Sequence, residues 1–397
     1  MRVTVTGATG LIGRRLVERL LERGDEVTVL SRSPGEARSE MAMLVRELAH
    51  RADSPATGAV SGPPPSPAVS GAAPAPVSGA AQVVVEAWSP QEEPAPADAL
   101  ANRDGVVHLA GEPVAQRWTA EARRRIRDSR ELGTRHLVAG LRAADPRPGV
   151  LVSASGIGWY GDRGDDVVDE DEPPGADFLA TVTRTWEAQA RKAAELGVRV
   201  VLMRTGVVLD RRGGALARML PFFRAGVGGP VAGGRQWMAW IHLDDAVAMY
   251  LAALDGAGWE GPVNAAAPEP VRNRDFGRAL GRALRRPALL PVPALALRAL
   301  YGDMAWIVTT GQRAIPTRAT EHGFPYTHPQ LDEALRSAVR EEGPRAGCPR
   351  SYTFLPPRLG TIPSDFQGES GRAGQTSQMT IPTTDSTRPV ARPGFSP

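Results

Sequence analysis

The chain has 397 residues, 42% of them hydrophobic, which is enough for a sizeable core in one large domain or two smaller ones. Lys plus Arg number 47 and Asp plus Glu 44, a formal net charge of +3, so the composition speaks against a nucleic-acid surface, which needs clustered basic residues. A single cysteine, Cys348, excludes an intramolecular disulfide and a thiolate metal cluster, and fits a reducing compartment.

In chain order, Val3-Thr4-Val5-Thr6 reads as a short strand. Met1 to Thr6 has no apolar stretch and no cleavage site of a signal peptide, and no run of about 18 apolar residues follows anywhere. The expectation is a soluble, cytoplasmic chain with no membrane partner. The strand meets Gly7-Ala8-Thr9-Gly10-Leu11-Ile12-Gly13, then an amphipathic helix to about Arg23 and a second strand, Glu26-Val27-Thr28-Val29-Leu30. That order suits a dinucleotide. Gly7 permits the tight turn, Gly10 lets the backbone approach a pyrophosphate, and Gly13 lets the helix pack close. Free N–H groups from Thr9 to Gly13 and the helix dipole then face the phosphates. After the second strand an NAD site would carry Asp or Glu to hold the ribose 2′-hydroxyl. This chain has Ser31-Arg32. A guanidinium pairs with a 2′-phosphate, so the predicted cofactor is NADP.

Residues 39–82 read as a flexible insertion, with a short helix at about 39–51 before a Pro, Ala, Gly and Ser run in which AVSG or PVSG recurs. Strands are predicted at 83–88, 105–110, 150–155 and 198–204, with helices at about 119–143 and 178–196 between them. Alternating strands and helices predict a Rossmann-type, doubly wound parallel α/β sheet. Residues 1–38 and 83–250 form this domain. A smaller C-terminal substrate lobe spans 251–340, interleaved with 204–240, and a disordered tail covers 341–397.

Several longer motifs then align with one family. VTGATGLIG at the start, HLAGEPVAQRW at 108–118, VSASGIGWYG at 152–161, GGPVAGGRQWMAWIHLDDAV at 228–247 and GPVNAAAPEPV at 261–271 resemble the epimerase-like group of atypical short-chain dehydrogenases. The resemblance covers 1–38 and about 83–340, and the segment 285–340 looks like that family's own C-terminal module. It implies that Leu109-Ala110-Gly111 forms the turn lying along the adenosine ribose. It also implies cofactor contacts from Arg130, from the neighbouring Arg125, and from Glu187 toward the nicotinamide ribose.

Dehydrogenases of this superfamily use a Tyr for proton transfer, a Lys that lowers its pKa, and a Ser or Thr that orients the substrate carbonyl. Ser155, at the end of the fifth strand, is the candidate hydroxyl, with Ser153 as a lesser alternative. The helix FLATVTRTWEAQARKAAEL contains no Tyr, and its Lys192 lies too far along. Thr183 and Glu187 stand four apart where Tyr and Lys would be. Tyr160, in the loop after Ser155, is a candidate phenol, or else packs at the cleft mouth. Arg204, Gly213-Gly214 and the cluster Arg235, Gln236, Trp237, Trp240 and His242 are assigned to the substrate side. A metal site from His242, Asp244 and Asp245 is set aside in favour of a helix cap. Two functions follow: an NADP-dependent oxidoreductase or epimerase-like enzyme acting on an unidentified small molecule, or a non-catalytic NADP-binding sensor or assembly protein.

Overall fold

The computed structural model describes residues 1–53 and 83–340. In chain order the elements are β1 (Arg2–Thr6), α1 (Leu11–Glu22), β2 (Glu26–Ser31), α2 (Pro34–Asp53), β3 (Val83–Ala87), α3 (Ala97–Leu100), β4 (Gly105–His108), α4 (Ala120–Ala143) and β5 (Val150–Gly156). There follow β6 (Val167–Val168), α5 (Phe178–Arg191), β7 (Arg199–Thr205), β8 (Val207–Leu209), α6 (Gly214–Arg224), β9 (Trp237–Met238), β10 (Trp240–His242) and α7 (Leu243–Asp255). The last are β11 (Gly261–Ala265), β12 (Val271–Arg272), α8 (Asn273–Leu284), α9 (Ala294–Tyr301), α10 (Ala305–Thr309), β13 (Arg313–Ala314), α11 (Thr317–Glu321) and α12 (Leu331–Val339).

Seven strands form one parallel sheet in the order β11-β7-β5-β4-β1-β2-β3. Its strands read as continuous apolar runs because helices cover both faces. On one face Leu16, Val17 and Leu20 of α1, Met41 and Leu44 of α2, and Val247 and Tyr250 of α7 pack on the sheet. On the other, Leu100 of α3, Leu137 and Leu141 of α4, and Ala190 of α5 do so. Strand order reverses at β1, and an open α/β sheet binds its ligand at the carboxyl ends of the strands beside that reversal. The register sets three polar side chains abreast at this edge: Ser155 lies beside Arg204, and Arg204 beside Asn264.

A further apolar cluster holds the C-terminal lobe. Leu216, Leu220 and Phe223 of α6 interlock with Phe276 and Leu280 of α8 and with Leu335 of α12. Each fully buried Leu or Phe stabilises by about 1.5–3 kcal/mol, which suffices to fix three short helices.

Two expected boundaries are corrected. The predicted flexible insertion begins too early, because α2 continues to Asp53. Met41, Leu44, Val45 and Leu48 recur at helical spacing, and Met41 and Leu44 are buried against the sheet. Nor does 251–340 belong wholly to the lobe. Gly261–Ala265 is the edge strand of the main sheet, and Ala319 and Phe324 join the core around α1. The Pro-rich run and the predicted tail lie outside the described residues. Among those described, no helix is long and apolar enough to cross a membrane.

Candidate cofactor cleft

The glycine loop has the geometry its sequence predicts. Gly7 takes a left-handed backbone (φ 71°), and a Cβ there would lie 2.8 Å from the Leu109–Ala110 backbone. A Cβ on Gly13 would sit 2.2 Å from the Gly7 carbonyl oxygen. Gly10, by contrast, meets only the Gly7 oxygen at 3.3 Å and is exposed, so its face is open. Gly10 is also the N-cap of α1 and supplies no side-chain acceptor. The first N–H groups of the helix, on Leu11, Ile12 and Gly13, therefore have no intrahelical acceptor. Thr9 is exposed at the same lip. Gly213, likewise an N-cap without a side-chain acceptor, lies near the Leu11 side chain, which a Cβ on Gly213 would meet at 3.3 Å. The starts of α1 and α6, neither with a side-chain cap, thus lie near each other, and helix starts of this kind favour anions.

The turn after β4 completes the floor. Thr6 Oγ1 accepts the N–H groups of Leu109 and Ala110, each at 3.2 Å. With both lone pairs used, its proton goes to His108 Nδ1 at 2.8 Å, and His108 Nε2 donates to Thr134 Oγ1 at 3.1 Å. Burial lowers the His108 pKa to about 4, and the Arg130 charge adds to this, so the imidazole is neutral. Thr6 and His108 are structural residues that sequence patterns did not single out.

Arg130 sits beneath this turn. Its Nη1 donates to the Glu112 and Ile126 carbonyls at 3.0 Å, its guanidinium lies against Gly111, and it stacks over Trp186 at 5.0 Å. Burial lowers its pKa to about 10, opposed by the Glu112 charge. Arg125 pairs with Glu121 at 2.6 Å and with Glu112 at 3.5 Å, and donates to Gln116 at 3.2 Å.

At the end of β2, Ser31 Oγ accepts the Ser33 N–H at 3.2 Å and shapes the turn. Arg32 is exposed and has no ion pair with any described residue. No carboxylate stands at this position.

The expected catalytic hydroxyls each have a partner inside the protein. Ser155 Oγ donates to Glu187 Oε1 at 2.7 Å. The same carboxylate accepts Arg204 Nε at 2.8 Å and Arg204 Nη2 at 3.1 Å, and the Glu187 and Arg204 side chains are 1% and 2% exposed. Glu187 is thus the counter-ion of a buried arginine. The pair raises the Arg204 pKa even though burial works against the charge. Thr183 Oγ1 donates to the Leu179 and Ala180 carbonyls of its own helix. Tyr160 is fully buried, donates to Asn264 Oδ1 at 2.7 Å and accepts from Arg204 Nη1 at 3.1 Å. Burial raises its pKa to about 12, which the Arg204 charge only partly opposes. Ser153 donates to the Ala154 carbonyl at 3.3 Å within the strand. Each candidate proton donor is already committed to an acceptor within the protein.

The predicted aromatic and polar cluster does not assemble either. Trp240 is buried with Nε1 on the Glu269 carbonyl, while Trp237 lies between Arg272 and Arg313. His242 Nδ1 accepts the Asp244 N–H at 3.1 Å and caps α7; a capping Asp was expected. Asp245 instead accepts the Thr327 and His328 N–H groups. His242, Asp244 and His328 offer ligand atoms within 4.8 Å of one another, but Asp244 is held by Arg15 at 2.8 Å.

Residues 3–265 match the NAD dependent epimerase/dehydratase family, and residues 292–338 match a domain of unknown function (DUF1731). The chain is 39% identical over 342 residues to the chloroplastic epimerase family protein SDR39U1 homolog of Arabidopsis thaliana, covering 86% of this chain and 87% of that one. It is 30% identical over 343 residues to the epimerase family protein YfhF of Bacillus subtilis, covering 86% and 99%. Among solved structures it is similar to human epimerase family protein SDR39U1 (isoform 2) with NADPH, at a TM-score of 0.67 and 30% identity, covering 85% of this chain and 99% of that chain.

Proposed function

Because the chain belongs to the NAD dependent epimerase/dehydratase family, we propose that it binds NADP(H) in the cleft between the glycine loop and the Leu109–Gly111 turn, and that it works as a cofactor-holding protein without Tyr–Lys proton transfer. Three features of the cleft fit the cofactor. A Cβ would fill the Gly7 and Gly13 positions, two helix starts present unsatisfied N–H groups, and exposed Arg32 stands where a 2′-phosphate needs a cation. The similar human protein was crystallised with NADPH.

The observation that carries the second half is the commitment of Ser155, Thr183 and Tyr160 to internal acceptors. When bound, NADPH supplies a hydride. The chain's own residues bind and orient it. The Thr6–His108–Thr134 chain fixes the turn, Arg130 braces it from below, and Glu187 holds Arg204 rather than a proton in flight. A second reading, a reductase that takes its proton from solvent, is favoured by one feature. A cleft of ≈ 800 Å³ beside α5, lined by Asp162, Arg163, Asp177, Thr181 and Arg184, has room for a polar small molecule.

The test is a single-turnover experiment. The protein loaded with NADPH is mixed with a panel of aldehydes, ketones and nucleotide-sugars, and the loss of nicotinamide absorbance is followed. The cofactor-holding reading expects tight NADPH binding and no oxidation beyond the rate without protein. Protein-dependent oxidation that survives Ser155→Ala and Thr183→Val would favour the reductase. Oxidation abolished by Ser155→Ala would overturn the assignment of that hydroxyl.

A further inference from the structure

Next to the ≈ 800 Å³ cleft beside α5 lies a second one of ≈ 470 Å³, and the two share Asp177 and Trp306. Aromatic rings line the second cleft. Trp118 is 8% exposed, and its Nε1 donates to the Val114 carbonyl at 2.9 Å. Phe178, at the start of α5, meets it edge-on with the ring centroids 4.9 Å apart. Arg123 of α4 lies over both rings, 5.5 and 5.2 Å from their centroids, and Asp303 holds it there. These contacts fix two rings and a flat cation in one wall. Trp306 of α10 belongs to both clefts, yet it stays 43% exposed.

A single exposed indole on a surface is ordinary. One set in a cleft beside two fixed rings offers an apolar face to a planar ligand, and rings attract rings beyond the area they bury. The larger cleft supplies a polar end. Its carboxylates each accept a backbone N–H already, Asp162 from Gly164 at 3.2 Å and Asp177 from Ala180 at 2.8 Å. Arg163 donates to the Tyr160 and Pro173 carbonyls. Arg184, exposed on α5, makes no hydrogen bond or ion pair with any described residue. Each guanidinium carries five donors, so donors here exceed acceptors, and such groups take carboxylate or carbonyl oxygens.

We propose that the joined clefts bind a planar aromatic molecule bearing a carboxylate or carbonyl, its ring among Trp118, Phe178 and Trp306 and its oxygens on Arg163 and Arg184. This goes beyond both readings above and rests on neither, since occupancy needs no turnover. Within the reductase reading it names the class of substrate.

The probe is 2-naphthoate, titrated calorimetrically into the full chain with and without excess NADPH. Saturable binding is expected in both, about tenfold tighter than that of decahydro-2-naphthoate, which has the same carbon skeleton and no aromatic face. Trp306→Ala is expected to weaken binding about tenfold, while Trp306→Phe, which keeps a ring, costs no more than about threefold. Arg184→Gln is expected to weaken it about fivefold. Both positions are exposed, so each variant is expected to fold as the parent does. Absence of saturable binding, equal binding of the saturated analogue, unchanged affinity in either Trp306→Ala or Arg184→Gln, or displacement of 2-naphthoate by NADPH would overturn the proposal. An NADPH titration of the same protein reads the cofactor assignment separately, so the two fail independently.

Discussion

Replacing Glu187 with Gln separates a structural carboxylate from a cofactor contact. Glu187 accepts three short hydrogen bonds, one from Ser155 and two from Arg204, and both charged side chains are almost fully buried. Removing one partner of a buried pair leaves the other charge uncompensated, at a cost of about 3–5 kcal/mol. Chains of this size lose roughly 2 °C of melting temperature per kcal/mol, so Glu187→Gln is expected to melt about 6–10 °C lower. The double variant Glu187→Gln/Arg204→Met removes the stranded cation and is expected to recover part of that loss. Differential scanning fluorimetry with and without saturating NADPH reads both effects. The reasoning predicts a large drop without ligand and an NADPH affinity within about threefold of the parent wherever the protein remains folded. A melting temperature unchanged within 2 °C, together with more than tenfold weaker NADPH binding, would refute it and return Glu187 to the ribose.

Three further predictions follow from the site. Gly13→Ala drives a methyl to 2.2 Å from the Gly7 oxygen, so the loop must shift by about an ångström; stability is expected to fall by about 1–3 kcal/mol, and isothermal calorimetry should find NADPH binding weakened at least tenfold. His108 has a folded pKa of about 4 against an ordinary value of 6.5, so its contribution to stability is present above pH 6.5 and is lost as pH falls toward 4. Urea unfolding should show about 2 kcal/mol less stability at pH 5 than at pH 7.5 from this group, a component absent in His108→Gln. Glu170 is buried with Oε2 unpaired, and burial raises its pKa, partly opposed by backbone N–H groups from Asn264 and Arg318. A raised carboxyl pKa favours the fold at low pH and costs stability as pH rises above 4.5, so the melting temperature of Glu170→Gln should gain on the parent between pH 4.5 and pH 7.5; a constant difference would contradict this.

The local motifs were legible because their cause is local. Gly7, Gly10 and Gly13 answer to a turn and a helix start within a few residues, and each apolar strand carries its own pattern. The direction of a hydroxyl is not local. Ser155 turns to Glu187 because β7 places Arg204 beside it, and no spacing within β5 encodes that neighbour. Thr183 and Glu187 lie one turn apart on α5, yet Thr183 is short enough to satisfy itself on the Leu179 carbonyl while Glu187 reaches across. Arg125 and Arg130 look alike in an Arg-rich helix and differ in what the fold sets opposite them, Glu121 for one and the Glu112 carbonyl for the other. The predicted helix at about 39–51 starts later than α2, because Pro34-Gly35 has the look of a turn although proline fits the first turn of a helix.

The most direct test of the central claim is a fluorescence titration of the purified protein with NADPH and with NADH, on the parent and on Arg32→Ala. The account predicts saturable NADPH binding, at least about tenfold tighter than NADH, with the preference largely lost in Arg32→Ala. Binding of neither cofactor would contradict it outright, and equal binding of both by the parent would remove Arg32 from the 2′-phosphate.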